Sequence, residues 1–153
     1  MQSFFKSKLF IVLVAILVVL ISCVVLFFTV SEFARFKCIE DEALSIAGEI
    51  STGNNYFKID TKSSQVALND MTSFQKSWHL QQQAKAIEAI KYANKKLHFN
   101  ESLYTYMVST SAVMGTQREE NENYIVTWTY SPDDGLEVKY KIKTSAMFKL
   151  GGK

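Results

Sequence analysis

Apolar positions follow three different rhythms along this chain. From Leu9 to Val30 they are almost continuous over 22 residues, interrupted only by Ser22, Cys23 and Thr29 and by no charge, Pro or Gly. At about 1.5 Å per helical residue the run would extend about 33 Å, against a bilayer hydrocarbon core of about 30 Å. The pattern predicts a transmembrane helix. Lys6 and Lys8 precede it, and Glu32, Arg35, Lys37, Glu40, Asp41 and Glu42 follow with mixed sign. The positive-inside rule then puts residues 1–8 in the cytoplasm and the C-terminal part outside, periplasmic or extracellular. Two alternatives involve processing. One is cleavage of a secretory leader near Ser31. The other is lipidation of Cys23, since Leu20-Ile21-Ser22-Cys23 has the form of a lipobox.

After Val30 the rhythm becomes helical and one-sided. Phe36, Ile39, Ala43, Ile46 and Ile50 recur at spacings of three and four and form one stripe. Glu40, Asp41, Ser45 and Glu49 are expected on the opposite face. Ser51-Thr52-Gly53-Asn54-Asn55 reads as the stop, with Gly53 just past the helix end. One helix is therefore predicted from about residue 4 to 51. Its stripe is expected to pack on the chain's own C-terminal domain, with a coiled-coil partner as the alternative, since only two heptads are visible. Cys38 lies beside the stripe and is a candidate for an intermolecular disulfide. It cannot reach Cys23, about 22 Å away along the helix.

The remainder is polar with spaced apolar residues. Tyr56–Asp60 alternates and predicts a short strand, and Thr61–Asn69 is turn-like. Thr72-Ser73-Phe74-Gln75 offers a capping box for a second helix reaching His98. Its inner stripe is Ala86, Ile90, Ala93 and Leu97, with Ile87 beside them and Phe74 and Trp78 as a staple or as core. From Glu101 the period shortens to two. Leu103–Met114 is rich in β-branched and aromatic residues and predicts a strand. Gly115–Asn123 reads as a charged mobile loop. Tyr124–Tyr130 and Leu136–Ile142 alternate cleanly and are joined by a turn at Pro132-Asp133-Asp134-Gly135. The predicted fold is α+β: a long N-terminal transmembrane and amphipathic helix, a second helix, and a three- to four-stranded antiparallel meander. The corresponding divisions are a tail at 1–8, a transmembrane helix at 9–30, a juxtamembrane helix at 31–52 and an external domain at 53–153.

Charge and chemistry narrow the function by exclusion. Seventeen basic and fifteen acidic residues among 153 leave a net charge of +2, too balanced for an electrostatic nucleic-acid binder. Two Cys and two His offer little for a metal site, and His79 and His98 would sit at opposite ends of the second helix. No phosphate-binding glycine loop or nucleophile elbow occurs. Ser109, Thr110 and Ser111 have no base nearby in sequence. Glu119, Glu120 and Glu122 lack calcium-loop spacing and read as a solvated loop. Lys139, Lys141 and Lys143 read as protection of a sheet edge, with contact to an anionic lipid or polyanion as the alternative. Asn100-Glu101-Ser102 matches a glycosylation acceptor. No cofactor, metal or catalytic residue is expected, and enzyme activity is not.

A long N-terminal helix, apolar first and amphipathic after, followed by a small antiparallel meander resembles pilins and pilin-like proteins. Among these it is most similar to TadE-like minor pilins. The resemblance covers the layout of the whole chain and implies a structural subunit whose apolar half-helix later packs in a filament core. Met1–Lys8 departs from the family in having no obvious peptidase site, and no Glu precedes Glu32. Ala15, Val19 and Ser22 are the positions where small and β-branched side chains would let such helices approach. Expected partners are membrane lipid and other membrane or envelope proteins, as a homo-oligomer or larger assembly, with no nucleic acid. Two other functions fit the same layout: an accessory subunit of a secretion or conjugation machine, and a tethered external binding domain.

Overall fold

The computed structural model describes the backbone of residues 2–61 and 72–147, and side chains at 10–24, 32–61 and 72–147. Helix α1 (Gln2–Ala47) leads into two short strands, β1 (Ser51–Thr52) and β2 (Tyr56–Asp60). Helices α2 (Ser73–Lys96) and α3 (Leu103–Val108) follow, then a 3-10 turn at Ala112–Met114. Strands β3 (Gln117–Glu120), β4 (Tyr124–Ser131) and β5 (Gly135–Ile142) and a final turn of helix, α4 (Thr144–Met147), complete the described chain. The five strands form one antiparallel sheet in the order β1-β2-β5-β4-β3. Alternation in β4 and β5 puts Tyr124, Val126, Trp128, Leu136, Val138, Tyr140 and Ile142 on a buried face. Phe57 and Ile59 extend that face across β2. The C-terminal half of α1 and the inner stripe of α2 belong to the same core.

The end of α1 comes earlier than its sequence suggests. Gly48 adopts φ +81°, and its N–H donates to the Leu44 carbonyl at 2.8 Å, closing the helix in the left-handed turn that favours glycine. Gly53 serves a different purpose. A Cβ there would come within 2.3 Å of the Tyr56 ring in the β1–β2 hairpin, so the turn requires its bare backbone. Phe36, Ile39, Ala43 and Ala47 are buried, while Ile46 and Ile50 are partly buried against the core. Glu40 departs from its expected exposed face. It is 6% exposed and receives both oxygens' hydrogen bonds from Lys37, whose ammonium also donates to the Gly53 carbonyl at 3.1 Å. That ammonium satisfies the buried carboxylate and ties the hairpin to α1.

The transmembrane expectation is corrected. Among the described residues no helix is long and apolar enough to cross a membrane. The single-pass assignment, the membrane localisation and the cytoplasmic and external sides derived from it fall with the span.

The meander also differs from its expectation, having five strands instead of three or four. Leu103–Met114 is not a strand. Leu103, Met107 and Thr110 are buried at helical spacing, and Asn100 Oδ1 accepts from both the N–H and the hydroxyl of Ser102, starting the turn of α3. Packing of that spacing overrides the β propensity of the intervening Tyr, Thr and Val residues. The charged segment after Gly115 contains β3, paired along β4 from Gln117↔Trp128 to Glu120↔Ile125. Lys139, Lys141 and Lys143 do not guard an edge, because β5 lies between β2 and β4. Lys139 Nζ stands 4.0 Å from the centroid of the Tyr56 ring, and Lys143 pairs with Glu120 at 3.4 Å. The capping box at Thr72 and Gln75 is formed. Phe74 and Trp78 join neither staple nor core and are 78% and 50% exposed. The turn expected after Thr61 lies outside the described residues, apart from Thr61 itself.

Candidate functional site

The surface with the largest unmet physical demand is the projecting half of α1. Every side chain from Phe10 to Val24 is exposed, and the large apolar ones are between 43% and 67% accessible. Monomeric proteins rarely leave so much contiguous apolar area uncovered. Ala15, Val19 and Ser22, at helical spacings of four and three, share one side of this surface. The Ser22 hydroxyl donates to the Val18 carbonyl at 2.8 Å, so its polarity is met within its own helix. Cys23 and Cys38 are free and exposed. The remaining assembly candidates, Phe36, Ile39, Ala43, Ile46 and Ile50, face the chain's own core and are covered there to the degrees given above.

Where α1 enters the domain, two polar contacts fix it. The Tyr124 hydroxyl donates to Glu32 Oε2 at 3.0 Å. Burial first, and the Glu32 carboxylate second, push the Tyr124 phenol up from its ordinary value. Three residues on, Arg35 Nη2 stands 2.6 Å from His98 Nε2 and reaches the Lys96 carbonyl at 3.4 Å. Since a guanidinium only donates, Nε2 is the acceptor and the proton of the neutral ring belongs on Nδ1. His98 can offer this atom because it takes φ +59° just past the end of α2. Next along α1, the Phe36 ring lies 5.3 Å from that of Phe57 and 5.8 Å from that of Tyr124. Residue spacing gave no sign of this collar. Its only trace in the sequence is that the first charges after the apolar run, Glu32 and Arg35, share a helix face.

The other candidates are dispersed. His79 and His98 have separate surroundings, His79 beside the Trp78 ring and His98 beside Arg35. Ser109 and Thr110 both donate to the Tyr106 carbonyl, and Thr110 Oγ1 accepts from the buried Trp128 indole at 2.9 Å. Glu120 is bound to Arg118 and Lys143, which hold its carboxyl below the usual range. Asn100 is exposed but its side chain is engaged in the turn with Ser102. Among the described residues no group of three or more His, Cys, Asp or Glu side chains is placed to hold a metal ion. Comparison with known proteins finds no matching family model, no similar curated protein and no matching solved structure.

Proposed function

We propose that this chain is a non-enzymatic structural subunit of a helix-packed assembly, pilin-like in its architecture. In this reading the apolar half of α1 is buried laterally against the same helix of other copies. The observation that supports it is the continuous exposure of Phe10–Val24 on a helix whose other half is built into the core. A surface apolar on all sides has no preferred solvent face, so several neighbouring helices are needed to cover it. Association of such helices rests on close packing, and the side bearing Ala15, Val19 and Ser22 permits the nearest approach.

Sedimentation of the purified full chain in mild detergent tests the reading. Self-association is expected, with Cys38 of neighbouring copies close enough to form a disulfide under oxidation, and Cys38→Ser abolishing the covalent dimer. A strictly monomeric chain without that dimer overturns it.

A further inference from the structure

The end of α2 is closed by a residue that does not suit the position. The His98 N–H donates to the Lys95 carbonyl at 3.2 Å and the Phe99 N–H to the Asn94 carbonyl at 3.0 Å. This pair of bonds ends a helix through one left-handed residue, where glycine or asparagine is usual because a larger side chain is strained. His98 takes that place at φ +59°, the one non-glycine residue with positive φ among the described residues. The imidazole compensates through its contact with α1. His98 is exposed, and its Nε2 stands 2.6 Å from Arg35 Nη2.

We infer that His98 and Arg35 form a proton-sensitive latch between the domain and α1. A guanidinium can only donate, so the bond exists only while Nε2 carries no proton. Protonation removes the acceptor and sets two cations against each other. Arg35 is then left with the Lys96 carbonyl at 3.4 Å, long for an N–H···O bond, and Glu32–Tyr124 is the polar contact of the collar that remains. Histidine is the side chain that changes charge between pH 5 and 8, so the latch is fastened at neutral pH and opened by mild acid. Linkage gives the same sign: the released form binds the extra proton, and acid favours it.

Other charges face the ring from each element around it. On α1, Glu32 precedes Arg35 and is held by the Tyr124 hydroxyl. Lys91, Lys95, Glu101 and Tyr104 line the open hollow that His98 shares, with the Lys91 ammonium 4.7 Å from the centroid of the Tyr104 ring. The Lys96 ammonium lies over the Tyr92 ring at 5.5 Å. From the turn after β3, Asn121 Nδ2 donates to the Leu97 carbonyl at 2.7 Å, and Glu122 follows it in the chain. Glu101 and the carbonyl end of α2 favour a proton on the ring, while Arg35 and the lysines resist it. Of these groups Arg35 is in contact with Nε2, and that is the bond a proton breaks.

The latch concerns how α1 is held and is independent of what covers the projecting half. A double-mutant cycle on the full chain in mild detergent tests it, with Arg35→Gln, His98→Asn and the double variant unfolded in urea at pH 7.5 and at pH 5.0. Asparagine suits the left-handed position, so His98→Asn keeps the helix end and removes the titrating ring. Coupling in the unfolding constant is expected to be about threefold at pH 7.5, the size of an exposed charged contact, and to vanish or invert at pH 5.0. In the unmodified chain, NMR should place the proton of the neutral ring on Nδ1, and the Arg35 guanidinium signals should shift with the titration of His98. No coupling at pH 7.5, equal coupling at both pH values, a neutral ring with its proton on Nε2, or Arg35 signals indifferent to that titration overturns the inference.

Discussion

The Trp128 indole N–H donates to the Thr110 hydroxyl, and both residues are buried. Thr110→Val keeps the shape and removes the acceptor, so it should cost about 1–3 kcal/mol, whereas Thr110→Ser should recover most of that. Urea unfolding of the two variants measures the difference. Tyr140 presents a related case at the centre of the core, its hydroxyl meeting Asn94 Oδ1 at 2.7 Å and the Ile90 carbonyl at 3.2 Å. Burial pushes the phenols of Tyr140, Tyr124 and Tyr104 up from their ordinary 10.0. Above that pH the unfolded chain gives up protons that the folded chain keeps. The unfolded state then binds fewer protons, and stability falls as pH rises. Lys58, raised chiefly by its hydrogen bond to Glu137, acts in the same direction above its ordinary 10.5. Stability is therefore expected to decline above about pH 10, as the phenols' ordinary value dictates. Tyr140→Phe should make that decline shallower, and chemical denaturation between pH 8 and pH 11 reads it.

At the level of elements, legibility depended on whether one force or two shaped a segment. Strands β4 and β5 were readable because alternation, turn chemistry and burial agree at Tyr124–Ile142. The α1 stripe was readable for the same reason, although Ala47 was missed behind Ile46 and the stop was placed at Gly53 instead of Gly48. Helix α3 was not readable. Its buried Leu103 and Met107 are four apart, a spacing that fits both periods, and residue propensities favoured the wrong one. A six-residue helix depends on tertiary packing for its stability, which a local pattern does not reveal. Strand β3 was hidden because its Arg and Glu residues suit a sheet edge while reading as loop. The polar collar around Glu32 and Arg35 was illegible because its partners, Tyr124 and His98, lie more than sixty residues away. Three substitutions examine the α1 reading. Ala43 is fully buried, and Ala43→Asp should destabilise by several kcal/mol. Ser45→Asp, on the exposed side, should change stability by no more than about 0.5 kcal/mol. Gly48→Ala has room for its methyl but not the right φ, and should cost about 1–2 kcal/mol. Thermal or urea melts of the three rank them.

For the whole molecule, folding and association separate along α1. Val19 is 61% exposed and belongs to the half that the domain does not cover. Val19→Lys should leave the melting of the domain unchanged. It should weaken self-association by at least a hundredfold, since an unpaired ammonium buried between helices costs several kcal/mol. Sedimentation beside a melt separates the two effects, and loss of both would show that Val19 serves the fold instead. The sheet contributes little to such contacts: β1 offers two residues at one edge and β3 is charged at the other, so strand pairing between copies is discouraged. The unbroken backbone of α1 also has a mechanical meaning. At about 1.5 Å per residue its 46 residues make a strut of about 70 Å with no joint between the gripped end and the core. Tension applied at the apolar end passes first to the Glu32–Tyr124 and Arg35–His98 contacts and then to Phe36 between its two rings. The collar is therefore a strain relief, and Tyr124→Phe should lower the force at which optical tweezers pull α1 from the sheet.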